Sequence, residues 1–123
     1  MNEPLCGKLA EELLDEDIFI KIDLDMQLLK PLDRKLFDLG DSTIVGQYSD
    51  EDAKDQRHGF DGFIPFDTNF MISDRKSNFY HYYYETCFNK SMLNSREYKC
   101  IAEASSSPNY LQEEFAVDYM YKN

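Results

Sequence analysis

The order of hydrophobic and polar positions divides the chain into segments of different period. Leu5, Leu9 and Leu13 recur at a spacing of four and are joined by Ala10 and Leu14, which predicts an amphipathic helix over 4–16 with Pro4 in its first turn. Glu11, Glu12, Asp15 and Glu16 take its outer and C-terminal positions, the end of a helix where negative charge is unfavourable. From Asp17 the period becomes two: Ile18, Ile20, Ile22 and Leu24 alternate with Phe19, Lys21 and Asp23, the pattern of a strand with one buried face. Leu32, Leu36 and Leu39 predict a short helix over 31–39 closed by Gly40, and a strand follows over 42–48. Residues 49–68 have no sustained period, and Gly59, Gly62 and Pro65 break any long element, so a long loop is expected there, with room for a brief helix capped by Ser49 or Asp50.

The second half turns on FYHYYYETCF, residues 79–88, which combines high β-propensity with little charge. With a period of two, Tyr80, Tyr82, Tyr84, Thr86 and Phe88 share one face and Phe79, His81, Tyr83, Glu85 and Cys87 the other, which predicts a central strand covered on both sides. An aspartate at Tyr82 or Tyr84 is then expected to cost several kcal/mol. A short strand over 69–73, turning through Asp74, Arg75, Lys76 and Ser77, would make a hairpin with it. Over 96–104, Tyr98, Cys100 and Ala102 alternate, whereas Leu93, Glu97, Cys100 and Ala104 fit a helix; strand is the assignment adopted. Ser107 and Pro108 then open a helix carrying Leu111, Phe115, Val117 and Tyr119. The expected fold is α+β, a mostly antiparallel sheet of about five strands with a helix at each end of the chain packed on it, in a single domain over 1–123.

Charge changes the picture more than composition does. Nine Phe and nine Tyr give 123 residues enough material for one core. The formal net charge is −11, and it is uneven: residues 1–61 carry 16 acidic and 7 basic side chains, residues 62–123 carry 8 and 6. Such a field repels nucleic acid and anionic membranes, so neither is an expected direct partner. No stretch approaches the roughly 18 apolar residues of a spanning helix. Three cysteines, Cys6, Cys87 and Cys100, cannot all pair within one chain, and the first residues lack the basic start and long apolar run of a signal peptide; a reducing cytoplasm is the expected location.

Candidate chemistry is sparse. Asp50, Asp52, Asp55, His58 and Asp61 fall within one short stretch, but as a calcium loop it has Lys54 where an oxygen ligand is needed and Asp55 where glycine is needed. The cysteines are too far apart in sequence for a zinc knuckle. Cys87 and His81 share a face of the expected strand at a separation of roughly 20 Å, too far for a nucleophile and its base. His58 is unconstrained relative to Cys87 and Cys100. No phosphate loop, nucleophile elbow or HExxH helix occurs. We therefore expect no enzyme activity, no metal and no cofactor.

An acidic domain of this size without catalytic motifs resembles, in composition alone, two classes: immunity proteins against nuclease toxins and phage inhibitors that mimic nucleic acid, of the anti-restriction or anti-CRISPR kind. The nearly neutral, aromatic second half favours the immunity protein, whose partner would be a basic, nuclease-type protein. Its charged contacts are expected at Asp50, Glu51, Asp52, Asp55 and Asp61, with Phe60, Phe63 and Tyr48 as apolar anchors. The alternatives are a small enzyme or ligand-binding domain with a Tyr-lined pocket, using His58 or His81, and a non-inhibitory subunit of a larger assembly.

Overall fold

A computed structural model of the chain describes residues 2–42, 44–48, 66–104 and 108–123. Helix α1 (Asn2–Leu13) leads into strand β1 (Ile18–Ile22), the 3-10 turn η1 (Arg34–Phe37), strand β2 (Ile44–Tyr48) and the long strand β3 (Phe66–Asp74). A second 3-10 turn, η2 (Arg75–Ser77), opens the helical second half: α2 (Phe79–Cys87), α3 (Lys90–Leu93), α4 (Arg96–Ala104) and α5 (Pro108–Lys122). The class is α+β, and among the described residues the sheet has three antiparallel strands in the order β1-β3-β2, not about five.

Two expected strands are helices, for identifiable reasons. In 79–88 every second position and every third or fourth position is apolar, so both periods fit; the residues buried are Phe79, Tyr80, Tyr83 and Cys87, a helical set. Tyr82 is 55 % exposed, so one of the two substitutions expected to be costly there falls on the surface. The turn at 74–77 is present as η2, with Asp74 accepting from the Ser77 N–H at 2.8 Å, but it feeds a helix and no hairpin forms. In 96–104 the deciding signal is Ser95, whose Oγ accepts from the Tyr98 N–H at 3.2 Å as a helix cap does. Asn89 caps α3 in the same way, accepting from the Met92 N–H at 3.1 Å. The helix expected over 31–39 is reduced to the single turn η1, although Gly40 does take a left-handed φ of 55°.

The face of β1 is reversed from the expected one. Phe19 and Lys21 pair with Ser73 and Met71 on the side that holds the core, whereas Ile20 and Ile22 pair with Ile72 and Phe70 and lie on the other side, 44 % and 45 % exposed. Ile72, on the central strand, is fully buried. Beyond Gly46 the register of β2 against β3 jumps, from Gly46↔Met71 to Gln47↔Asp67.

The core lies between the sheet and the helices, with Met71, Phe79, Tyr80, Tyr83, Cys87, Met92, Phe115, Ala116 and Val117 buried together. The Phe79 ring stacks on Tyr83 at 5.4 Å and meets Tyr80 edge-on at 5.2 Å. Of the terminal helices, α5 reaches β3 as well as α2 and α4, while α1 packs chiefly on α2. No helix among the described residues is long and apolar enough to cross a membrane.

Candidate functional site

Of the residues expected to bind a partner, Asp50, Glu51, Asp52, Asp55, Phe60, Asp61 and Phe63 lie outside the described residues, and so does His58. Tyr48 is the last residue of β2, paired with Phe66. Among the described residues, α1 and the turn after it carry one run of exposed acids, and Asp25, Asp33, Asp38 and Asp41 are exposed as well.

What orients α1 is a helix-to-helix contact with small and polar residues at its centre. Pro4 and Glu11 are buried, and Gly7 sits so close to the Tyr80 ring that a β-carbon there would overlap it. Glu11, 6 % exposed, accepts from the Tyr80 N–H through Oε1 at 2.9 Å and from the His81 N–H through Oε2 at 3.1 Å. These are first-turn donors of α2 that its own N-cap, Asn78, leaves without a side-chain bond. Burial pushes the Glu11 carboxyl above its ordinary 4.5, and the two N–H donors and His81 pull it partly back.

With that face turned inward, Leu5, Leu9 and Leu13 lie on the opposite side of α1, at 37 %, 43 % and 77 % exposure. The stripe read from the sequence as the helix's buried face is therefore its exposed one. Lys8, beside it, reaches over the Tyr84 ring at 5.1 Å, and Tyr84 meets the exposed Phe88 edge-on at 5.1 Å. Because Glu11 meets the start of α2 and Lys8 meets Tyr84, the helices run antiparallel and Phe88 lies toward the first turn of α1.

The C-terminal end of this face is negative. Glu12, Asp15, Glu16 and Asp17 are all exposed. Lys8 pairs with Glu12 at 3.6 Å, and Arg75 pairs with Asp15 at 3.3 Å while also donating to the Leu14 carbonyl. Glu16 and Asp17 have no ion pair among the described residues. The negative end of the α1 macrodipole adds to the same field.

On the inner side, Lys21 is held between Glu3 at 3.0 Å, Asp23 and the Thr68 carbonyl, tying the start of α1 to β1 and β3. Burial raises the Glu3 carboxyl, against the pull of Lys21. This cluster is an internal brace, with its cation already satisfied. Burial likewise pushes the Cys87 thiol up to about 12, so it is protonated and a poor nucleophile at neutral pH. His81 lies one α-helical turn from Glu85, 3.9 Å away across the helix surface. Among the described residues no three His, Cys, Asp or Glu side chains are grouped to hold a metal ion. No protein-family model, curated protein or solved structure matches the chain.

Proposed function

We propose that the chain is an acidic protein-binding inhibitor, an immunity protein that neutralises a basic, nuclease-type bacterial toxin in the cytoplasm by covering its active or substrate-binding surface. The observation that carries this is the net charge of −11, 16 of its 24 acids lying in the first 61 residues, with Glu12, Asp15, Glu16 and Asp17 exposed together at the end of α1. Carboxylates placed in this way steer a cationic protein at long range and pair with the Lys and Arg side chains that would otherwise hold phosphate. Asp50, Glu51, Asp52, Asp55 and Asp61 supply five more of these acids, as charged contacts, with Phe60, Phe63 and Tyr48 as anchors.

The test is co-purification from the native host, identification of the partner, and association kinetics at two ionic strengths. Replacing Asp50, Glu51 and Asp52 by lysine is expected to slow association about tenfold or more and flatten its salt dependence, with folding retained. Cells that express the partner's toxic domain should lose protection with this variant. Unchanged association together with full protection would remove these acids from the interface, and a partner that is neither basic nor toxic would overturn the function.

A further inference from the structure

We infer that the outward face of α1 is a docking surface for a basic amphipathic helix of the partner protein, an assignment that rests on the proposed function for its partner's charge. Leu5, Leu9 and Leu13 form a straight ridge of about 12 Å, two turns at the α-helical rise. Leu5 and Leu9 are partly open and Leu13 mostly so, on the side of α1 away from its contact with α2 through Gly7 and Glu11. A second helix is the element whose residues at spacings of three and four interdigitate with such a ridge.

Charge selects the occupant. The ridge ends among Glu12, Asp15, Glu16 and Asp17, of which, among the described residues, Glu12 pairs with Lys8 and Asp15 with Arg75. A helix with lysines or arginines flanking its apolar face answers both the ridge and the acids. A second copy would bring another −11 and the same carboxylates to the contact, and an anionic membrane would be repelled. The acids are also poorly placed for α1 itself, since they crowd the negative end of its dipole. A bound cationic helix turns that local disadvantage into attraction.

The experiment uses the full chain and two synthetic peptides of identical Leu and Lys composition, one with leucines at helical spacing and one scrambled, followed by fluorescence anisotropy. The helical peptide is expected to bind about tenfold tighter than the scrambled one, the scale set by burying a leucine side chain. Leu9→Gln with Leu13→Gln should erase that difference, and Leu9→Met should keep it. Glu12→Gln with Glu16→Gln should weaken both peptides and reduce the salt dependence. Leu13→Gln alone, at the most exposed position, gives the same reading if the double variant folds poorly. Equal binding of the two peptides, discrimination that survives the leucine changes, or a leucine-dependent dimer in sedimentation would overturn the inference. The co-purified partner separates the two claims. A nuclease that binds the double leucine variant at the normal rate sinks the docking surface and leaves the function standing; a non-nuclease partner whose binding needs Leu9 does the reverse.

Discussion

Glu11 shows how one side chain can be unfavourable locally and stabilising in the fold. In the second half of α1 its charge opposes the helix dipole, yet its two oxygens satisfy the Tyr80 and His81 N–H groups at the start of α2. Glu11→Gln keeps one acceptor and turns an amide N–H toward the other donor, so it should cost about 1–3 kcal/mol in urea unfolding. Its pH dependence has a definite sign. Burial raises the folded carboxyls of both Glu11 and Glu3 above 4.5, so the folded chain binds these protons more tightly than the unfolded chain does. The stability they contribute is fully present below about 4.5 and is lost as pH rises through their folded values. Wild type should therefore gain more stability than Glu11→Gln between pH 7 and pH 5, and identical pH profiles would contradict the assignment. The acid run in the sequence showed where charge is concentrated. It did not show that Glu11, unlike Glu12, points inward, because that depends on a donor pair 69 and 70 residues away.

At the scale of elements, alternation located β1 but could not say which of its faces is covered. Isoleucine is the more apolar choice, but Lys21 has partners in the half-buried Glu3 and Asp23 and in the Thr68 carbonyl, and Phe19 brings the larger ring to the core. The aromatic segment failed as a strand because its near-uniform apolarity carries no period; burial of Phe79, Tyr80, Tyr83 and Cys87 was decided by α1 and α5 packing around it. The difference is measurable. Tyr83→Asp should cost several kcal/mol, whereas Tyr82→Asp, at a half-exposed site, should shift thermal unfolding little. Comparable losses at both would restore the strand. The α1–α2 contact is equally specific: Gly7→Ala gains about 1 kcal/mol of helix propensity but drives a methyl into the buried Tyr80 ring, for a net loss of about 1–2 kcal/mol. Gly7→Ala with unchanged or raised stability would show that the helices stand further apart.

For the whole molecule, the alternation of helical and strand periods along the chain was enough for the α+β class, while the number of strands and the exposed leucine ridge needed long-range packing to emerge. The contact that completes α2 has a kinetic consequence. Asn78 gives this helix no side-chain cap, so its first-turn donors are satisfied by a segment at the other end of the sequence. A peptide spanning only the aromatic segment is short of the ~12–15 residues at which isolated helices persist, and should be mostly coil in water. Helix α2 therefore awaits closure of a long chain loop, an entropic step that precedes its reward. If that closure belongs to the folding barrier, Glu11→Gln slows refolding and leaves the unfolding rate nearly untouched. Stopped-flow traces that put the whole effect in unfolding would place the α1–α2 contact after the barrier. During synthesis the consequence is directional: α1 leaves the ribosome long before the segment it completes, and Gly7 and Glu11 stay without their partners until Tyr80 and His81 follow.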